Sequence, residues 1–351
     1  MIYNDEQIMR RCFELARNGG GRVAPNPMVG AVIVYNGKII GEGYHSHYGA
    51  PHAEVMAIES VTDKSLLSRS IIYVSLEPCC HYGKTPPCTQ LILDKGIPKV
   101  VIAAADPFTK VNGCGIQLLK NNGVGVVTGV LENEARELNK FFYTYHEKKR
   151  PYIILKWAES VDGYIDSIRP ANELPTKITN AMSSALVHRW RSQVQSIMVG
   201  TNTIIRDNPR LTVRNYQGNN PLRTIIDRKG KLPANALVFN NESETLLFIP
   251  QKSDIDYGKH TVQIEINFND NVEEQILSEL YKRQIQSLFI EGGTQLITNF
   301  SVKNLWDEAR IFIGNVFLKN GVKAPQKPDI SPIYVEIIGN DKLLVYRKNN
   351  L

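Results

Sequence analysis

His52-Ala53-Glu54 is answered downstream by Pro78-Cys79 and Pro87-Cys88. One imidazole, two thiols and a carboxylate that need not ligate are the parts of a hydrolytic zinc site. A His-x-Glu followed by Pro-Cys and a second Cys is the pattern of zinc-assisted amine loss from a nitrogen heterocycle. Three protein ligands leave the fourth tetrahedral position open, and a water held there acidifies towards a pKa of about 7. Glu54, two residues beyond the ligand His52, is spaced to take that water's proton and hand it to the departing amine. Eight residues, Cys80 to Pro87, separate the two cysteines, a wider gap than a compact Cys-x-x-Cys. The insert His81-Tyr82-Gly83-Lys84-Thr85 is polar and basic, and suits the mouth of a site. Cys80 adjoins a ligand position, but the Pro-Cys pair favours Cys79 as the ligand. The plain alternative is that these cysteines are small buried hydrophobes. That reading suits Cys12 and Cys114, and His146, His188 and His260 read as structural histidines.

The second half carries weaker signals. The G-x-G-x-x-G dinucleotide fingerprint is absent. Phe289-Ile290-Glu291-Gly292-Gly293-Thr294 reads as a strand, two glycines and the start of an apolar helix, where free backbone N–H groups can hold a phosphate. A tight strand-to-helix turn would look the same. Asp207 to Arg214 clusters arginines in a loop, as anion binding or plain solvation would. Lys156 to Gly163 closes the domain's first strand with polar residues and a turn.

The elements that must position these residues alternate in type. A helix over 6–18 precedes a strand over 29–35, the Asn36-Gly37 hairpin turn and a return strand over 38–44. The helix with His52 and Glu54 follows. Strand 71–76 delivers Cys79, prolines mark the start of a helix at Cys88, and strand 100–105 ends in Asp106-Pro107. This is an α/β sheet with helices on both faces. Glu147-Lys148-Lys149-Arg150-Pro151 is charged and then broken, so the domains are read as 1–147 and 148–351. The second restarts with strands at 152–158, 196–200, 222–227, 245–249, 261–266, 287–291 and 309–316. Its helices are expected near 180–193, 272–284 and 294–301, while 240–271 is polar and ambiguous.

With 351 residues the chain has room for two domains. Its net charge of +6 divides into 14 basic and 13 acidic residues over 1–146, and 27 and 22 over 147–351. That mild excess is too small for a nucleic-acid stripe and suits phosphorylated small molecules. The N-terminus lacks the basic flank and apolar core of a signal peptide. No apolar run approaches the roughly 18 residues of a membrane span. Five unevenly spaced cysteines argue against a secreted disulfide framework and for the cytoplasm.

Asn26-Pro27-Met28-Val29-Gly30, His52-Ala53-Glu54 and Glu77-Pro78-Cys79-Cys80-His81-Tyr82-Gly83-Lys84-Thr85-Pro86-Pro87-Cys88 closely resemble the deaminase half of the bifunctional RibD family of riboflavin biosynthesis. The three segments of the second half resemble its reductase half, and the resemblance runs over nearly the whole chain. It implies a cytidine-deaminase-like α/β/α domain followed by a dihydrofolate-reductase-like α/β domain. It also implies two reactions. Zinc-dependent deamination of 2,5-diamino-6-ribosylamino-4(3H)-pyrimidinone 5′-phosphate comes first, and NADPH then reduces the ribosyl chain to ribityl. Zn2+ would be held by His52, Cys79 and Cys88, with Glu54 catalytic. Asn26, His45, Lys84 and Asp106 would contact the deaminase substrate. Ala158, Thr203, Asp207, Gly292, Gly293 and Thr294 would face NADPH. Lys156, Arg191, Leu211, Arg214 and Glu291 would face the reductase substrate. A homo-oligomer, dimer or tetramer, is expected, with neither nucleic acid nor membrane as partner. Two departures stand out. Phe108 occupies a place where members often have Asn, and Leu174-Pro175-Thr176-Lys177 replaces a Ser-Gln-Trp-like element. Two readings compete: a nucleic-acid base deaminase with an appended binding domain, and a deaminase carrying a non-catalytic scaffold.

Overall fold

The computed structural model describes residues 4–82, 86–108, 112–170 and 173–348. The chain divides into two compact units, 1–148 and 149–350.

The first unit begins with α1 (Asp5–Arg17). Its start is fixed by a capping box, in which Gln7 N–H donates to Asn4 Oδ1 at 2.8 Å and Asn4 N–H to Gln7 Oε1 at 3.0 Å. Then follow β1 (Gly30–Tyr35), β2 (Lys38–Tyr44), α2 (Ala53–Ser60), β3 (Ile71–Val74), α3 (Cys88–Asp94), β4 (Lys99–Ile102), α4 (Cys114–Asn121), β5 (Gly125–Thr128), α5 (Glu132–Leu138) and α6 (Lys140–Lys148). Asn36 and Gly37 both take positive φ, 47° and 72°, as a two-residue hairpin between β1 and β2 requires. The sheet order is β2-β1-β3-β4-β5, antiparallel at β2-β1-β3 and parallel beyond.

Alternate strand residues feed two cores. Val32, Val34, Tyr73 and Val101 pack with Ile8 and Phe13 of α1 and Phe142 of α6. Ala31, Ile33, Ile72, Val74, Val100 and Ile102 pack with Ala57 and Ile58 of α2, Ile92 of α3 and Leu119 of α4. Both faces are therefore covered, giving three α/β/α layers. Helix α2 lies tight on β2, because a Cβ at Gly43 would fall 2.3 Å from Ala57 N. That close approach fixes the helix that carries the candidate chemistry.

The second unit contains β6 (Tyr152–Ser160), β7 (Tyr164–Asp166), α7 (Ala181–Arg191), β8 (Ser196–Gly200), α8 (Thr201–Asp207), β9 (Leu222–Ile226), β10 (Thr245–Ile249), β11 (Thr261–Glu265), α9 (Val272–Lys282), β12 (Ser287–Gly292), α10 (Thr294–Val302), β13 (Glu308–Gly314), β14 (Val322–Lys323), β15 (Tyr334–Ile338) and β16 (Asp341–Arg347). One sheet runs β11-β10-β9-β8-β12-β6-β13-β16-β15. It is parallel from β11 to β13, and β16 and β15 return antiparallel. Arg150 anchors the start of this unit, donating to Asp307 Oδ2 and Oδ1 at 2.6 and 2.8 Å. Strand β6 is central. Tyr152 to Leu155 are buried, and beyond them Trp157 and Glu159 remain core-facing while Lys156 and Ala158 are half-buried on the other face.

The seven strands expected in this half are present, with ends shifted by two residues at most. The sequence reading missed β7, α8, β14, β15 and β16. Two of these are strands of two or three residues. The exposed Tyr334, Val335 and Ile337 of β15 give none of the in–out alternation that marks a strand.

Candidate active sites

In the first unit His52 is the N-cap of α2, with extended φ and ψ of −70° and 163°, so its ring leaves the helix while Glu54 stays in the first turn. Pro87 caps α3, and Cys88 opens it. Thr89 ties the Cys79 turn to that helix by two bonds to Cys79 O, from its N–H at 3.2 Å and its hydroxyl at 3.1 Å. The His52 Nδ1 lies 3.6 Å from Cys79 Sγ and 3.3 Å from Cys88 Sγ, and all three ligand atoms fall within 4.8 Å of one another. Ligands 2.0–2.3 Å from one tetrahedral zinc would stand roughly 3.3–3.8 Å apart, so the donor set fits. Cys88 N–H donates to Cys79 Sγ at 3.3 Å, which favours a thiolate there. The Cys88 thiol's hydrogen bond, with His52 beyond it, pushes Cys79 down to about 4. Glu54 is buried and ligates nothing, and burial holds its carboxyl above the usual range.

Beside this cluster the His45 and His52 rings meet edge to face at 5.6 Å. His45 Nδ1 lies 3.1 Å from Pro51 O, which makes that nitrogen the donor and leaves Nε2 to accept from Asn26 Nδ2 at 3.0 Å. Burial lowers the His45 pKa. Asp106 lies just beyond β4 and is buried; burial raises its carboxyl to about 6. Phe108 donates its N–H to Asp106 Oδ1 at 2.8 Å, and its ring sits between those of His81 and His146, at 6.3 and 5.2 Å. Lys84 lies outside the described residues.

In the second unit the candidate residues gather at the C-terminal ends of parallel strands, where open α/β sheets bind ligands. Arg191 of α7 grips Glu291 of β12 in a bidentate pair at 2.6 and 2.8 Å and also donates to Thr212 O at 3.1 Å. Burial opposes the Glu291 charge, but Arg191, with Lys156 beyond, holds its carboxyl below the usual range. Burial lowers Lys156 against the pull of Glu291. Arg214 donates Nη1 to Thr212 Oγ1 at 3.0 Å and its backbone N–H to His188 Nδ1 at 3.1 Å. Leu211 takes φ +56°, a strained setting for a branched residue of the kind concentrated at functional loops. Gly292 has φ +139°, and a Cβ there or at Gly293 would come within 4.0 or 3.4 Å of Thr203 Oγ1. The result is a side-chain-free cradle beside a hydroxyl, which fits a dinucleotide. Thr294 turns its own hydroxyl to Lys323 O at 3.1 Å. Asp207 is held by the buried Arg169, which also donates to Asp166 Oδ2 at 2.7 Å.

Residues 2–104 match the zinc-binding region of cytidine and deoxycytidylate deaminases, and residues 151–331 match the RibD C-terminal domain. The riboflavin biosynthesis protein RibD of Aquifex aeolicus is 38% identical over 322 residues, 91% of this chain and 89% of the relative. The RibD of Bacillus amyloliquefaciens is 37% identical over 330 residues, 92% and 87% of the two chains. A solved diaminohydroxyphosphoribosylaminopyrimidine deaminase/5-amino-6-(5-phosphoribosylamino)uracil reductase from Thermotoga maritima superposes with a TM-score of 0.88 at 38% identity, covering 98% of each chain. The chain belongs to the RibD family.

RibD membership means a cytidine-deaminase-like unit with a zinc-binding His52/Cys79/Cys88 site, followed by a reductase unit that draws on NAD(P)H. The nucleic-acid alternative loses its basis, because the second unit is the RibD reductase domain rather than an appended binding module. Two residues of this RibD chain escaped the sequence reading as parts of a site. His188, read as merely structural, holds the backbone of Arg214; its i, i+3 spacing from Arg191 on α7 was the available signal. Arg169 holds Asp207 across 38 residues, and no local pattern announces such a pair.

Proposed function

We propose that the chain carries out two consecutive steps of riboflavin biosynthesis. The first unit deaminates 2,5-diamino-6-ribosylamino-4(3H)-pyrimidinone 5′-phosphate. The second reduces the ribosyl chain of the product to ribityl with NADPH, giving 5-amino-6-(5-phosphoribitylamino)uracil. The observation that carries this reading is the convergence of His52, Cys79 and Cys88 within 4.8 Å beside a buried carboxylate that ligates nothing. Zinc, when bound, supplies a water acidic enough to act as nucleophile at neutral pH. The buried Glu54, beside that cluster and outside its ligand set, would take a proton at a carboxylate oxygen and return it to the leaving amine. His45, with both ring nitrogens engaged, orients the Asn26 amide, whose remaining groups face a pyrimidine edge, and Asp106 and Lys84 complete the substrate contacts.

In the second unit NADPH supplies the hydride. Gly292, Gly293, Thr294, Thr203, Asp207 and Ala158 bind it, and the glycine turn lets backbone approach the cofactor without a side chain between. Lys156, with Arg191 and Glu291, orients the ribosyl group. Arg214 and the Leu211 turn take the polar end of the substrate through charge-assisted bonds. We place the enzyme in the cytoplasm, where the uneven spacing of its five cysteines fits a reducing compartment, and expect a homo-oligomer. Among the described residues no helix is long and apolar enough to cross a membrane.

The test is one assay on that substrate, following ammonia release and NADPH oxidation with and without a chelator. Ammonia release should stop on chelation, while oxidation of NADPH with the deaminated intermediate should continue. Ammonia release that survives full metal removal would refute the zinc role, and no ammonia release from the zinc-loaded enzyme would refute the deaminase reading. Absence of NADPH oxidation would make the second unit a scaffold.

A further inference from the structure

Glu77 is a buried carboxylate, 4% exposed, two residues before the ligand Cys79. Three backbone amides point at it. Asp106 N–H donates to Oε2 at 3.2 Å, Gly113 N–H to the same oxygen at 2.9 Å, and Ile116 N–H to Oε1 at 3.1 Å. Its own N–H donates to Ala104 O at 3.0 Å, two residues past the end of β4. Gly113 is the N-cap of α4 with φ +84° and has no side chain to offer, so the first-turn amides of that helix are left without a local partner. Glu77 satisfies one of them, the Ile116 N–H, together with the N-cap amide of Gly113, and the helix dipole favours a negative charge there. The fit is close, for a Cβ on Gly115 would fall 2.1 Å from Pro78 O and 3.2 Å from Glu77 Oε1. Three pieces of chain thus meet at one side chain: the turn with a zinc ligand, the Asp106 segment and the start of α4.

We propose that Glu77 is a positioning residue of the deaminase, one that fixes Asp106 relative to the Cys79 turn so that substrate contact and metal share one frame. The inference rests on the deaminase reading above and goes beyond it, because Glu77 has no room to touch substrate itself. A carboxylate offers acceptors only, whereas the isosteric Glu77→Gln puts an N–H2 where an amide N–H must donate. At least one of the three bonds is then lost while the volume stays the same.

Glu77→Gln is to be compared with the parent, with Asp106→Ala and with the double variant, all full-length and zinc-loaded. KM for deamination should rise about tenfold or more in Glu77→Gln, with bound zinc and reductase kinetics unchanged. In the Asp106→Ala background the same change should add little, because the route through Asp106 is already gone. A KM within about twofold of the parent, or a full additive effect on top of Asp106→Ala, overturns the proposal. Amide hydrogen exchange gives a readout that needs no activity. The amides of 106, 113 and 116 should exchange about tenfold or more faster in Glu77→Gln while those of β1 and β3 do not. Unchanged exchange at these three sites refutes the clamp even if the parent deaminates nothing, and inactivity of the parent counts against the deaminase reading alone.

Discussion

Glu54 is buried in the first turn of α2, two residues beyond His52, and belongs to no ligand set. Glu54→Gln preserves its volume and leaves His52, Cys79 and Cys88 untouched. Zinc stoichiometry by atomic absorption should therefore equal the parent's, while kcat for ammonia release should fall by about 10²–10⁴-fold and reductase turnover stay unaltered. The site was legible at this scale because its parts lie in short, chemically loaded strings: a His and a Glu two apart, and two Pro-Cys pairs. Asn26 and His45 could be located only through family likeness, since nothing in their neighbours says that Asn26 will meet His45 or that His45 will meet His52. Glu77 was invisible as more than a letter of the motif, because its partners sit 29, 36 and 39 positions away and are backbone groups without sequence identity.

At the level of elements, α7 is the piece that organises the reductase pocket. It carries His188 and Arg191 one turn apart, and the two hold the segment from Thr212 to Arg214 from either side. Burial, aided by Arg191 and Arg214, lowers His188 from 6.5 to about 4. The folded state binds fewer protons than the unfolded one between those values. The stabilisation is therefore complete above pH 6.5 and is lost as pH falls towards 4, a swing on the order of 3 kcal/mol. Denaturant unfolding of the second unit at pH 7 and pH 4.5 should show it, and His188→Asn should remove most of the slope. The turn from β12 into α10 carries a second expectation. At φ +139° Gly292 sits where an L side chain costs about 1–3 kcal/mol. Gly292→Ala should raise KM for NADPH at least about tenfold and leave deamination unchanged, as steady-state assays of both activities would reveal. The strands were readable from their apolar runs and the helices from their caps. The C-terminal hairpin was not, because β15 turns apolar side chains outward and so hides the alternation that defines a half-buried strand.

Taken whole, the chain divides into two units. Among the described residues, two apolar clusters of the first draw only on residues before 149, and one cluster of the second only on residues after it. Each half is large enough to bury a core of its own. Expressed separately, residues 1–148 and 149–351 should each unfold cooperatively by calorimetry, the first losing several degrees of midpoint on zinc removal and the second none. A single shared transition in the intact chain, with neither half soluble alone, would contradict that independence.

Strand β6 is paired by β12 over Tyr152–Leu155 on one side and by β13 over Ile154–Ser160 on the other, and its side chains alternate between an inner and an outer wall. Deleting one residue ahead of Lys156 would therefore do more than shorten the chain. Parity would flip, driving an ammonium group into the hydrocarbon interior and swinging the Trp157 indole out into the cofactor crevice. Deleting two would restore the phase. The reductase should thus tolerate the larger lesion better than the smaller one.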